Sequence, residues 1–598
     1  MARAIDQADR DGRAALLALS DLGREPANDL RLAAVGPTLE TSSRSLEALQ
    51  NEIVPIAPLL HGARWLPGGL GWVADAPDAL AAAAPLARAA AIVARPFSEA
   101  ASSGDSARPR LSRYLLAASS LAPKEAELGA LAAAAEGPLE RLRGRSLGGP
   151  LKPFQGAVDR GRELLQEGRG AIEALGMIGP ALGIEGQRTY LLLGQNDAEM
   201  RATGGFVGSV GIITVKDGAV ASLDYTSSYN VDLGVPVPTP PGPLARYLGL
   251  GGWYLRDANW WPDFPATAAQ VEMAWRRAGN GPVDGVIAVD SVALKGLLGV
   301  VGGVNVPGYG PVSADSFERT AAEQLYSRSA LSSAQAFHQA KGEFLGATAK
   351  ALVARLLDLS PAQALPLGEE LLQLLQTRHI QMAFKDPRLV QSVHTRGWDG
   401  SIPPVEADSL LVVDTTVSYG DTYPFVTSQA SLGVQLEQGS DGQLHELVLD
   451  YMNIYPRGLP PWMPSKMVGG EVFDQATGQL AQTSGFWGGW IRVYLPAKVE
   501  VTQVQGLTDL DPTRSEFGRT LVSGYLPLAP GQARKVTIRY FTHVGQEAGE
   551  DNYRIFLQKQ AGLECRPTWV QAIWPGGKTA SFEGCPGGDQ WVELRAAD

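Results

Sequence analysis

The chain has 598 residues, with 51 Lys and Arg against 63 Asp and Glu and a formal net charge of −12. At this length about two to four domains are expected rather than one core. The acidity and the lack of any Lys or Arg block argue against a nucleic-acid partner and against a polybasic grip on anionic lipid.

From the N-terminus to about Gly176 the sequence is rich in Ala, Leu, Arg and Glu, with apolar residues at three- and four-residue steps, which predicts helices. Breaks at Pro26, at 55–71 (PIAPLLHGARWLPGGLG), at 102–109 and at 148–150 delimit several long antiparallel helices, a bundle or stalk over 1–180. The run DALAAAAPLARAAAIVA is small enough to let helices approach closely. No titratable constellation stands out here, so this part reads as a spacer or interaction scaffold. The opening MARAIDQADRDGRAALLALSDLG is charged throughout and lacks a signal-peptide core. No later stretch offers the roughly 20 uninterrupted apolar residues of a membrane helix. Read alone, that predicts a soluble chain.

Over 185–400 strands and helices alternate, the pattern of an α/β domain. Residues 190–209, YLLLGQNDAEMRATGGFVGS, carry the strongest local signal. An apolar strand runs into a polar turn holding Asn196, Asp197, Glu199, Arg201 and Thr203, then into Gly204, Gly205 and Gly208, before a second strand begins. Charged turns at strand ends are where α/β sheets place their sites. In DANWWPDFPATAAQ, Asp257, Asn259 and Asp263 are candidate ligand contacts, or else helix caps and turn formers. Trp260 and Trp261 beside them either stack on a ligand or close the core. GPVDGVIAVDSVALKGLLGVVGGVNVPG reads as a buried strand, a helix and a Gly-rich turn; two helical stretches meet around Ser329, and HIQMAFKDPRLVQSVHTRGW returns to strand and helix.

After Pro404 apolar and polar residues alternate in segments such as SLLVVDTTVSYG, LHELVLDYMNI and ARKVTIRYFTHVG, which predicts an antiparallel β-sandwich over 405–598. Trp462, Trp487 and Trp490 read as core or hairpin packing. The chain's two cysteines, Cys565 and Cys585, form either a disulfide or a pair of buried thiols. The six histidines are scattered, with no ligand spacing to these cysteines. There is no P-loop, G-x-S-x-G elbow, H-E-x-x-H helix or convincing dinucleotide fingerprint.

The GQNDAEMRATGG turn, DANWWPDFPATAAQ, VDGVIAVDSVALKGLLGVVGGVNVPGYG and TRHIQMAFKDP, in this order, resemble domain-of-unknown-function family 4012. That family occurs in bacterial cell-envelope proteins, usually behind an N-terminal membrane anchor. The resemblance implies an extracytoplasmic location, an anchor outside this chain, and a disulfide at Cys565 and Cys585. A loop of that size would contribute roughly 3 kcal/mol.

More distantly, the α/β segment is similar to the LytR-CpsA-Psr phosphotransferases, which move glycopolymers from polyprenyl-pyrophosphate carriers to the cell wall. That similarity implies phosphate-facing roles for Arg201 and Arg328, with Asn196 or Asp197 at a metal-binding position and Mg²⁺ as the ion. Arginine suits pyrophosphate because its fork pairs with two oxygens. The chain departs from that pattern. SLDYTSSYNVDLG supplies Asn230 and Asp232 but no arginine, and the helix after Arg328 carries Gln335, His338 and Gln339, with Lys341 the one cation nearby. A pyrophosphate site needs more cations than these unless Arg246, Arg256 or Lys341 folds into it. Glu199, Asp257 and Asp263 offer acid–base or hard-cation chemistry instead, while an ion pair of Glu199 with Arg201 would simply pin the glycine turn.

The sequence therefore predicts a multidomain α+β protein: a helical bundle, a central LytR-CpsA-Psr-like α/β domain and a C-terminal antiparallel β-sandwich. The expected role is a structural, polymer-binding or partner-binding module in an envelope or surface assembly. The alternative is a divergent glycopolymer phosphotransferase acting on a polyprenyl-phosphate ligand.

Overall fold

The computed structural model describes residues 2–24, 29–61, 70–104, 108–155, 158, 176–327, 334–405, 407–436, 442–457, 459–463, 469–474, 479–542 and 552–596. The chain divides into two compact units. The first holds residues 1–188, 215–221 and 353–368, and the second holds 189–214, 222–352 and 369–598. The 185–400 and 405–598 regions, separated in the sequence by texture, thus fall mainly into one unit.

The first unit is built on the helices Ala2–Arg24, Asp29–Ile53, Ala76–Ser102, Arg110–Ser119 and Glu125–Leu142. Small residues set the spacing between them. Ala15, Val35, Leu39 and Ala91 share one buried cluster, and Ala82, Ala132, Ala135 and Leu139 belong to another. Ser98 Oγ lies 2.8 Å from the Gly36 amide and donates to the Leu32 carbonyl at 2.8 Å, so the helix Ala76–Ser102 touches the Asp29–Ile53 backbone. Pro37, Pro85, Pro96 and Pro138 sit inside helices rather than ending them. By length and composition alone Ala76–Ser102 is apolar enough to cross a membrane, with an 18-residue window of mean hydropathy 1.3. Asp78, Arg88, Arg95 and Glu99 interrupt it, so it is not a run of about 20 uninterrupted apolar residues. Its Arg88 is paired with Glu47 at 3.7 Å and Glu127 at 3.1 Å.

The α/β part is organised by a five-stranded sheet whose strands are β1 (Arg188–Asn196), β2 (Phe206–Lys216), β3 (Ala219–Ser227), β4 (Gly285–Val289) and, after the small pair β5 (Val304–Val306) and β6 (Gly310–Val312), β7 (Ile380–Phe384). Their order is β3-β2-β1-β4-β7. β1 and β4 are parallel, with Tyr190 opposite Gly285, and β7 is antiparallel to β4. Leu191, Leu193, Val207, Val210, Val286 and Ala288 from the strands pack with Phe264, Ala268, Val271 and Trp275 of the helix Phe264–Arg277. Because β1 and β4 run the same way, their carboxyl ends open at one sheet edge.

The remaining strands are β8 (Asp408–Thr416), β9 (Val426–Leu436), β10 (Gln443–Asn453), β11 (Gly469–Asp474), β12 (Gln479–Ser484), β13 (Trp487–Leu495) and β14 (Glu500–Gln505). They continue through β15 (Ser515–Glu516), β16 (Arg519–Leu528), β17 (Ala533–Thr542), β18 (Asn552–Gln558), β19 (Thr568–Ile573), β20 (Thr579–Gly584) and β21 (Gln590–Arg595). Two six-stranded sheets, β14-β17-β10-β9-β19-β20 and β15-β16-β13-β8-β18-β21, share one hydrophobic core that includes Leu432, Leu449, Trp487, Ile491, Ile538 and Ile555. The expected sandwich is corrected in one respect: it is not purely antiparallel. β18 runs parallel to β8 and β19 parallel to β9. Period-two patterning fixes which face of a strand is buried, not the direction of a partner that arrives more than a hundred residues later. Cys565 and Cys585 form a disulfide with their Cα atoms 5.4 Å apart, joining the approach to β19 with the exit from β20.

Candidate functional site

The glycine turn after β1 is pinned by buried polar contacts. Arg201 is 3% exposed; its Nη1 donates to the Thr416 carbonyl at 2.8 Å, and its Nη2 lies 3.5 Å from Asp257 and 4.0 Å from Glu199. Its guanidinium also stands 5.4 Å from the Phe206 ring centre. Thr203 accepts from Gln195 Nε2 at its hydroxyl, 3.0 Å away, and from Gln381 Nε2 at its carbonyl, 2.8 Å away. Asn259 Nδ2 donates to the Gly205 carbonyl at 2.7 Å. Gly205 has φ of 144°, and a Cβ there would collide with the Asn196 carbonyl group, so only glycine lets the turn fold back on β1. The β-region closes over this turn: Gln560 Nε2 reaches the Arg201 carbonyl at 3.3 Å, and the Thr416 amide donates to Met200 at 2.8 Å. Arg201, Thr203, Asp257 and Asn259 are thus interior groups that hold the turn.

On the other side of the turn a cleft of about 520 Å³ opens at the carboxyl ends of β1 and β4. Gly194, Asn196 and Asp197 form part of its lining with Asp290, Ser291 and Lys295. Asp290 caps the helix Ser291–Val301, accepting from the Ala293 amide at 2.9 Å, while its other oxygen meets His379 Nδ1 at 2.7 Å. The walls are mostly apolar and include Phe317, Ala322, Phe344, Ala349, Phe425 and Trp462. The volume lies in the range of small-molecule sites, roughly 300–1,000 Å³, and so does the mixture of apolar wall and a few polar groups.

Several charged or amide groups of the cleft are already matched in pairs. Asn196 Nδ2 donates to Asp421 at 2.7 Å, the Ser291 hydroxyl donates to Asp197, and Lys295 Nζ meets Glu318 at 2.6 Å. Burial pushes the Asp197 carboxyl up to about 6; the Ser291 hydrogen bond holds it down, Asp290 pushes it further up, and Lys295 opposes. Burial acts to lower the Lys295 ammonium, but the Glu318 hydrogen bond and charge, with Asp197 and Glu564, leave it raised. Among the described residues no group of three or more His, Cys, Asp or Glu side chains is arranged to hold a metal ion.

Of the residues singled out from the sequence, Asn196 and Asp197 line the cleft, whereas Glu199, Arg201, Thr203, Asp257 and Asn259 gather around the buried turn. Asp263 caps the helix Phe264–Arg277 through the Ala266 amide at 2.9 Å and also accepts from the Ile402 amide at 3.0 Å. Arg328 lies outside the described residues, as do the side chains of Gln335, His338, Gln339 and Lys341. Arg256 pairs with Asp257 at 3.6 Å and Arg246 with Asp509 at 3.2 Å, so neither lines the cleft. Asn230 donates to Thr226 at 3.2 Å, and Asp232 is buried, accepting from the Leu255 amide. Trp260 is buried under the Arg492 guanidinium, and Trp261 packs edge-on against Trp253. Trp487 and Trp490 are core residues as expected, but Trp462 lines the cleft. Sequence reasoning passed over Ser209, Tyr225, Asp290, Ser291 and Lys295. The signal was present at Asp290: a second apolar strand ends there in Asp-Ser before a helix, matching the end of β1.

Fold and cleft together define a mixed α/β and β protein with an apolar, small-molecule-sized cleft at the edge of a partly parallel sheet. The family described as "Protein of unknown function (DUF4012)" matches residues 185–326, the stretch that runs from β1 through the helix Phe317–Ser327 up to Tyr326. No curated protein and no solved structure matches the chain.

Proposed function

We propose that this is an extracytoplasmic cell-envelope protein whose second unit is a binding module for an amphipathic ligand, its hydrocarbon chain held in the cleft. The observation that carries this reading is the cleft of about 520 Å³, with its mostly apolar walls and its polar groups set among them. The Cys565–Cys585 disulfide supports an oxidising compartment. Partners would be envelope or surface proteins in a larger assembly, with the bundle as spacer or contact surface.

The alternative, glycopolymer transfer from a polyprenyl-pyrophosphate carrier, needs cations facing the leaving group. Arg201 is committed to Glu199 and Asp257, and Lys295 to Glu318, which favours binding over transfer. Calorimetric titration with a twelve-carbon monoacylglycerol tests the reading. Saturable binding to the wild type, lost in Ala349→Trp, is expected, because the indole would occupy the cleft. Equal binding by both proteins, or none by the wild type, would overturn it. Transfer of a labelled saccharide from its polyprenyl-pyrophosphate carrier to wall polymer by the wild type would replace it with the alternative.

A further inference from the structure

We infer that the ligand of the cleft is not anionic and carries a hydroxyl or carbonyl oxygen that hydrogen-bonds to Ser209 and Tyr225 in the cleft lining. This rests on the binding reading above and narrows it to a chemical class, an oxygen-bearing amphiphile without an anionic head.

Ser209, on β2, is 1% exposed, and its hydroxyl has no hydrogen-bond partner among the described residues. A buried hydroxyl left unpaired destabilises the protein that carries it, so such groups call for an explanation. Ser209 lines the cleft, and Gly194 opposite it on β1 makes the room, since a Cβ there would collide with Ser209 Oγ. Two residues on, the same face of β2 presents Gly211. The Tyr225 ring lies over it, with an ideal Cβ at Gly211 only 2.7 Å from the ring carbon Cζ. From above, Gly346 of the helix Ala334–Leu357 leaves the space in which Tyr225 sits, since a Cβ there would be 2.8 Å from Tyr225 Cβ. Tyr225 also lines the cleft, and among the described residues burial alone acts on its phenol, with no hydrogen-bond partner. Burial pushes that phenol up to about 12, so it stays a donor at neutral pH. Two glycines therefore seat the ring, a third makes room for the serine hydroxyl, and two hydroxyls of one cleft lining are left without partners among the described residues.

Charge decides the rest. The lining includes Asp197, Asp290, Glu318, Asp421 and Glu564 against Lys295 and Arg457, and Lys295 is already paired with Glu318. An anionic head would meet net repulsion at short range in a partly dry site, whereas a neutral oxygen meets two hydroxyls able to donate or accept.

Calorimetric titration of the full chain with monododecanoyl glycerol and with dodecyl phosphate, using the wild type, Ser209→Ala and Tyr225→Phe, tests this. The neutral probe is expected to bind the wild type at least about tenfold more tightly than the phosphate. Each variant should weaken the neutral probe roughly 3- to 10-fold, the worth of one hydrogen bond. Thermal melting of the ligand-free proteins separates a ligand role from a structural one, since Ser209→Ala, which removes an unpaired hydroxyl, should melt no lower than the wild type. Equal or tighter binding of dodecyl phosphate would overturn the inference, as would unchanged affinity in both variants. Failure of both probes to bind the wild type would instead reject the cleft reading itself, and the inference with it.

Discussion

Asp197 and Arg201 stand four residues apart in one turn and do different work. Asp197 faces the cleft with its carboxyl raised from 3.8 to about 6, chiefly by burial. A folded-state value above the unfolded one means that the protonated form stabilises the fold. That contribution is complete below about pH 4 and is lost as pH rises through about 6. At most it amounts to about 3 kcal/mol. Asp197→Asn removes the titration, so denaturant unfolding at several pH values should show the variant gaining about 2–3 kcal/mol on the wild type between pH 4 and pH 7; a difference that stays flat would contradict this. Arg201 faces inward, between Asp257 and the Thr416 carbonyl. Arg201→Ala takes one of two arginine partners from the buried Asp257 carboxylate and the donor from the Thr416 carbonyl, and should cost about 1–3 kcal/mol in urea unfolding. A surface arginine waiting for phosphate would cost under about 1 kcal/mol.

At the scale of elements, a close helix contact comes from the small residues of the first unit. A Cβ built on Gly36 would lie 2.6 Å from Ser98 Oγ. Gly36→Ala must therefore separate two helices or displace Ser98, and a loss of about 1–3 kcal/mol is expected from thermal or urea unfolding. The alanine run that implied close approach was readable in the sequence, as were the helix limits near 102–109 and the alternating β-segments after Pro404. The polar turn at 196–205 was readable too, because Gly204 and Gly205 announce unusual backbone. What covers it was not. Thr416 and Gln560, which bury Arg201, lie more than 200 and 350 residues further along the chain, and nothing local couples them to it. The cleft was hidden for the same reason. Phe344, Phe425 and Trp462 look like ordinary core positions until the fold sets them around one space. Arg201 was read as a site residue because a charge in a glycine turn has the same local signature whether it faces solvent or interior.

At the scale of the molecule, the chain is two compact units, and every residue lining the cleft belongs to the second. The disulfide lies in that unit as well, directly after Gly562, Leu563 and Glu564 of the cleft wall. The central claim is that the cleft takes a hydrocarbon chain, and this has a thermodynamic signature independent of the head group. Calorimetric affinity for monoacylglycerols of rising chain length measures it most directly. Each added methylene buried should contribute about 0.8 kcal/mol, roughly fourfold in affinity, until the chain fills the space and the gain stops. Heat-capacity change on binding should become more negative over the same range. Affinity that does not change with chain length, or no binding at any length, would contradict the account.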